Sequence, residues 1–533
     1  MHNKKFLVTA LFAIFALVLA ACSGGSDDQP AKENEEGQEQ SEGKEGGDLV
    51  VAVLSDAATL DPQTATDVPT AAVLVNVVEG LVTKDENDEI VPALAKSWEN
   101  IDDLTWEFKL QEGVKFHDGE DFTAEVVKKN FERILDPEVA APRAFLFEVI
   151  EEVKVIDDHT VQIITEYPFA PLLAHLNHPV GVMLSPALIE ADYEGMKAGR
   201  QPGAVVAEGP IGTGMFKFKS WNPDDAIVLE RNDDYWQEGA NVDTITFKVV
   251  PESGTRVAEL ETGYAHLIEP VQPSEVTGIE TSGKGTVDVT DGNSLSYVAF
   301  NTEKAPFDNP KVRQAISMLI NTDEILTGIY DDYGQAAKGP LAPSVFGYSD
   351  KYPPLAHDIE KAKQLLEEAG LGDGFKTSIW TNDNPQRIET AVLLQQKLKE
   401  VNIDVEIEQM EWGTYLDKTA NGEHEMFILG LSNPVGDADY FLTQLFHSKN
   451  KGASGNRSFY DNPEVDRLLD EARQEIDEAK RIELYEEVQK VLIEDAPMVY
   501  VYHQAYLTGV SNDIEGYWIN SSGHYMLKDV KFK

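Results

Sequence analysis

The chain has 533 residues, and its 94 acidic residues against 44 basic ones give a formal net charge of −50 at pH 7. That balance excludes nucleic acid as a partner, because phosphate binding needs clustered Lys and Arg, and an anionic lipid surface repels such a body. A composition that is 42% hydrophobic supplies cores for two or three domains, and the single cysteine leaves disulfides no part in holding them.

Lys4 and Lys5 precede an apolar run from Phe6 to Ala21 that ends in Leu19-Ala20-Ala21-Cys22. A basic start, an apolar centre and small residues before a cleavage point read as a secretory leader. The run falls short of the roughly 20 apolar residues that span a bilayer. Its end resembles the lipobox of bacterial lipoproteins, in which the cysteine is lipidated and becomes the first residue of the mature chain. Residues 1–21 are therefore expected to be removed, and Cys22 to anchor the protein to the cell membrane, facing the extracellular side or the periplasm. A plain secretory leader with an incidental cysteine is the alternative. Residues 22–47 are rich in Gly, Glu, Gln and Ser and cannot bury enough surface to fold. They read as a disordered acidic linker with a reach on the order of 25–30 Å. The excess carboxylates keep an exported body soluble and suit high salt or high pH alike.

Asp48 to Leu54 (DLVVAVL) reads as a buried strand, followed by a turn at Asp61-Pro62. Thr105 to Leu110 alternates Trp106, Phe108 and Leu110 with polar residues, as a half-buried strand does. Turns follow at Gly113 and at His117-Asp118-Gly119, then an amphipathic helix over 123–135 and a strand over 159–167. Residues 195–210 read as loop. From about residue 300 the texture changes. Asn309-Pro310 and Asn462-Pro463 open helices as N-cap and first helical residue. Residues 377–381, 386–401 and 403–410 read as strand, helix and strand, with a helix around Tyr415 and a further strand over 426–431. Alternation at this spacing predicts crossover units and a largely parallel sheet. A helix over 480–494 and a strand over 498–502 complete the second half. A β-rich first half and an α/β second half suit two lobes with a ligand cleft between them.

No GxSxG or HExxH stands in the chain, and the 11 histidines lack zinc-ligand spacing. Gly278 to Gly285 (GIETSGKG) misses the phosphate loop by its last residue, and Thr286 to Thr290 reads as strand where that motif needs a helix. Gly212-Thr213-Gly214 lacks the third glycine of a dinucleotide fingerprint and reads as a close backbone approach. No enzyme, cofactor or metal site is expected.

Five stretches carry a resemblance over nearly the whole chain after Gly47. They are 60–82 (LDPQTATDVPTAAVLVNVVEGLV), 106–137, 209–221 (GPIGTGMFKFKSW) with 229–236, 297–317 and 460–472. In this order and spacing they resemble the family 5 extracellular solute-binding lipoproteins of peptide, nickel and opine ATP-binding-cassette importers. The resemblance implies an α/β, two-lobed, periplasmic-binding-protein-like (flytrap) fold with an extra domain in the first lobe. Residues 48–298, completed by 506–533, would form the first lobe, with the extra domain at about 80–195. Residues 299–505 would form the second lobe, and the two crossings would be hinges. It also implies a monomer that captures short peptides and hands them to membrane permease subunits. Residues 429–448 (LGLSNPVGDADYFLTQLFHS) look closest to the glutathione-binding subgroup. A nickel-chelate or haem binder of the same fold is the alternative.

A zwitterionic peptide needs an acceptor for its ammonium, a fork for its carboxylate and aromatic walls. Dipeptide and oligopeptide binders place an aspartate just after one strand for the ammonium, but here Asn433 or Pro434 holds that position. Asp437 and Asp439 are the substitutes, although one of them also suits the N-cap of the helix starting near Tyr440. Arg387 is the candidate carboxylate fork; a solvated residue on the helix surface is the other reading. Trp412 and Trp380 follow strands and line either the cleft or the core. Tyr297 and Asn301 flank the first crossing, where they touch ligand or support the strand.

Overall fold

The structure is a computed structural model that describes residues 46–533, except the side chain of Ser454. The leader, Cys22 and nearly all of the linker lie outside these residues. Gly46 and Gly47 already belong to the folded body, since their amides donate to Asn241 O and to Asp243 Oδ2.

Two large sheets carry the two lobes. The first has seven strands, in the order Gly285–Asp291, Ala505–Ser511, Leu267–Glu269, Asp48–Val53, Thr244–Val249, Ala226–Arg231 and Phe216–Asn222. Its centre is Asp48–Val53, the β-branched run, which pairs in parallel on both sides. Leu49 and Val51 pack into one core and Ala52 into another, as a strand covered on both faces requires.

The second sheet has six strands, in the order Gln335–Ala336, Met498–His503, Leu295–Phe300, Met426–Leu431, Phe375–Thr381 and Ile403–Gln409. Its side chains alternate between two cores. Leu295, Tyr297, Ala299, Trp380, Phe427 and Leu429 enter one. Val298, Phe300, Ile379, Met426 and Ile428 enter the other. The expectation of a largely parallel sheet needs correction. Only the pairings on either side of Phe375–Thr381 are parallel. The strands at 295–300, 335–336 and 498–503 pair antiparallel; they lie outside the strand–helix–strand run 375–409, whose helical crossover makes its two strands parallel.

The chain passes between the sheets twice, at Gly292–Ser294 and at Gln504, and the two passages lie side by side. Gly292 N donates to Gln504 O at 2.7 Å, and His503 Nδ1 lies 2.9 Å from Ser294 O. A Cβ on Gly292 would stand 2.7 Å from that Gln504 oxygen, so only glycine permits the approach.

A separate antiparallel sheet of four strands, Ala95–Asp102, Thr105–Leu110, Thr160–Thr165 and Ile150–Asp157, packs with the helix Ala124–Leu135. Val435 and Tyr440, from the second lobe, complete this unit's core. The near-miss phosphate motif is a seven-residue helix, Val276–Ser282, ended by Gly283 in the left-handed region and followed by the edge strand Gly285–Asp291.

Candidate functional site

The helix Val68–Leu74, capped by Asp67, starts one wall of a cavity of about 880 Å³. Glu79, Lys84, Arg143, His178, His524 and Lys528 extend that wall. Tyr297, Arg387, Trp412, Leu429 to Ser432, Tyr440 and Arg457 form the opposite one. The volume suits a small organic ligand, and the position between two sheets is where such sites form.

Arg387 stands in the first turn of the helix Pro385–Lys399, where Asn384 caps the helix by accepting from Arg387 N. Its Nη1 donates to Asn382 Oδ1 at 3.0 Å, and its guanidinium lies 5.6 Å from the centre of the Trp412 ring. Among the described residues no carboxylate pairs with Arg387, so the fork stays available to a ligand. Trp412 is 43% exposed, and the buried Tyr297 also lines the cavity. Burial pushes the Tyr297 hydroxyl up from its ordinary pKa, so it stays a neutral donor.

The other expected residues lie elsewhere. Asp437 and Asp439 do not line the cavity, and both have cations of their own. Asp437 caps the helix Ala438–Phe446 and pairs with Arg481 Nη2 at 2.6 Å. Asp439 receives Arg473 Nε at 3.0 Å and Nη2 at 2.9 Å, with His175 Nε2 at 3.4 Å. Burial alone would raise the Asp439 pKa, but Arg473 and His175 outweigh it and hold the carboxylate far below its usual range. Neither carboxylate is open to a ligand ammonium, which corrects that expectation. Trp380 is buried in the second-sheet core, edge-on to His424. Asn301 supports backbone: its Nδ2 donates to Gly422 O and His424 O. Asn433 organises the loop before residue 438. Its Oδ1 accepts from Gly436 N and its Nδ2 donates to Asp437 O.

Sequence reasoning missed six lining residues: Lys84, Arg143, His178, His524 and Lys528 on the first wall and Arg457 on the opposite one. These residues are scattered over 445 positions, and nothing local marks them as one surface. Burial lowers the pKa of both histidines, to about 4 for His524, so both rings are neutral near pH 7. His178 Nδ1 accepts from Val180 N, which leaves the proton of the neutral ring on Nε2. Glu79 is fully engaged by Tyr235, Trp236 and Thr213.

Residues 89–453 match the model of the bacterial extracellular solute-binding proteins, family 5, middle region. The glutathione-binding protein GsiB of Pectobacterium atrosepticum is 33% identical over 492 residues, 91% of this chain and 94% of that one. DppA, a periplasmic binding protein of Helicobacter pylori solved with the peptide STSA, is 32% identical with a TM-score of 0.79. The match covers 92% of this chain and 98% of that one. A dipeptide-binding protein of Pseudoalteromonas sp. SM9913, solved with Met-Leu, is 25% identical with a TM-score of 0.81, over 91% of this chain and all of that one. The two-lobed α/β fold, its interlobe cavity and these matches agree: the chain belongs to family 5 of the bacterial extracellular solute-binding proteins.

Proposed function

We propose that this protein captures short peptides outside the cell, di- or oligopeptides or glutathione-like, and delivers them to the permease of an ATP-binding-cassette importer. The observation that carries the reading is the interlobe cavity, with a carboxylate-ready Arg387 on one wall and aromatic rings beside it. The ligands of the relatives support it: glutathione for one, the peptides STSA and Met-Leu for others. The alternative, a nickel-chelate or haem binder of the same fold, would use the histidines or arginines of the same cavity, His178, His524, Arg143 and Arg457.

In this reading Arg387 binds a ligand carboxylate bidentately, and Trp412 and Tyr297 cover its apolar part. Asp67 or Asp529, which line the cavity, takes the ammonium in place of the expected Asp437 and Asp439. The expected bounds, 48–298 with 506–533 and 299–505, shift by a few residues, because the strand Leu295–Phe300 belongs to the second sheet and Ala505–Ser511 to the first: residues 48–291 and 505–533 act as one lobe and 295–503 as the other, with Gly292–Ser294 and Gln504 as hinges. A ligand touching both walls favours the closed state, because only that state makes both sets of contacts. Capture and release require no covalent chemistry. Cys22 carries the lipid anchor, and the body works as a monomer.

Thermal unfolding with a panel of di-, tri- and longer peptides, both glutathione redox forms and a nickel–histidine complex tests the reading. A peptide present at 100 times its Kd adds about 2.7 kcal/mol of stability, which raises the unfolding midpoint. A rise with the nickel complex and with no peptide would overturn the peptide assignment.

A further inference from the structure

The chain as a whole has more than two acidic residues for each basic one, yet the cavity reverses that ratio. Five cations line it, Lys84, Arg143, Arg387, Arg457 and Lys528, against three carboxylates, Asp67, Glu79 and Asp529. Four of the cations form no ion pair with any described residue: Arg143, Arg387, Arg457 and Lys528. The nearest polar partners of three of these are neutral: Asn382 for Arg387, Leu416 O and Thr419 for Arg457, and Gln237 for Lys528. The carboxylates, by contrast, are partly spent. Glu79 accepts three hydrogen bonds, and Asp67 holds the amide and hydroxyl of Thr70.

Lys84 is the most informative member. Its side chain is 8% exposed, its nearest carboxylate is Asp88 at 3.8 Å, and it comes from the first lobe. Its ammonium rests on the second-lobe loop, where a Cβ on Gly436 would overlap it. A buried ammonium with so weak a pairing costs stability unless another anion joins it. Burial also lowers its pKa, with Asp88 and Asp437 acting the other way.

Cations on opposite walls repel one another when the lobes meet. A ligand with one carboxylate and one ammonium brings no net charge to offset this. We infer that the ligand is an anionic peptide carrying at least two carboxylates, and that its negative charge holds together the two cationic walls, Lys84 and Arg143 facing Arg387 and Arg457. This rests on the peptide-binding reading and narrows it to a charge class.

Calorimetric titration with two matched pairs tests the inference. One pair is Glu-Ala-Glu and Gln-Ala-Gln. The other is glutathione and its derivative amidated only at the glutamyl α-carboxylate. Each pair keeps its C-terminal carboxylate, so ordinary carboxylate capture cancels. The acid is expected to bind about tenfold or more tighter than its amide in the pair that binds, with a gap that narrows at high salt. The gap is also expected to shrink in Lys84→Met, whose unfolding midpoint does not fall, because the variant removes a weakly paired buried charge. Equal binding of acid and amide would overturn the charge assignment and leave the peptide reading standing. An unchanged gap in Lys84→Met would overturn the two-wall arrangement. Binding of none of the four would overturn both readings.

Discussion

Asp439 and Arg473 show what a buried charge does in this protein. The carboxylate is almost fully buried, and the guanidinium supplies two of its hydrogen bonds. Arg473→Met strands that carboxylate with only His175 beside it and is expected to cost about 3–5 kcal/mol in denaturant unfolding. Adding Asp439→Asn removes the stranded charge and is expected to recover most of the loss; equal loss in both variants would contradict the pairing. The same residues mark the limit of sequence reading. Asp437 and Asp439 looked free because Arg473 and Arg481 follow 34 and 44 residues later, on other helices. Their meeting is a tertiary event that no local pattern encodes. The position of Arg387 at a helix start was legible, because the strand pattern over 377–381 gives way to a helical one directly after it. Trp380 proved a core residue because both faces of its strand are covered.

At the scale of elements, the loop from Ser432 to Asp437 joins the strand Met426–Leu431 to the helix Ala438–Phe446 and sets the second wall. Gly436 has a φ of +71°, and a methyl group there would displace the Lys84 ammonium. Gly436→Ala is expected to lose about 1 kcal/mol or more of stability in urea unfolding and to weaken ligand binding as well. An unaltered midpoint would show that the loop tolerates a side chain. The C-terminal hairpin Trp518–Ile519 and Tyr525–Met526 carries His524, held at a pKa of about 4 by burial. In the unfolded chain this ring takes a proton near pH 6.5. The unfolded state therefore binds more protons between about pH 6.5 and 4, and stability falls as pH falls through that window. His524→Gln is expected to flatten the slope by up to about 1.4 kcal/mol per pH unit, read from unfolding midpoints against pH. An unchanged slope would contradict the depressed value. Helix starts at Asn309-Pro310 and Asn462-Pro463 were readable because capping is local. The antiparallel centre of the second sheet was not, since the strand 498–503 pairs with 295–300 across about two hundred residues.

At the scale of the whole molecule, the second lobe is tied to the first through more than the cavity. Val435 and Tyr440 enter the core of the four-stranded unit, and Ala170 N donates to Arg473 O. Asn293, in the first passage between sheets, donates to Asn433 O and to the hydroxyls of Ser521 and Ser522. These contacts belong to a state with the walls together. Small-angle scattering is expected to give a larger radius of gyration without peptide than with it, and an identical radius in both conditions would contradict closure around a ligand. The two-lobed fold was legible because texture and periodicity change near residue 300, a few residues after the chain leaves the first sheet for the second.

Whether Arg387 holds the ligand in the interlobe cavity is decided by titrating the wild-type protein and Arg387→Met with the peptide that most raises the unfolding midpoint. One binding site per chain, an affinity loss of about tenfold or more in Arg387→Met, and unfolding midpoints that agree without ligand are expected. Equal affinity in the two proteins would show that Arg387 does not hold the ligand and that the interlobe cavity is not organised around it.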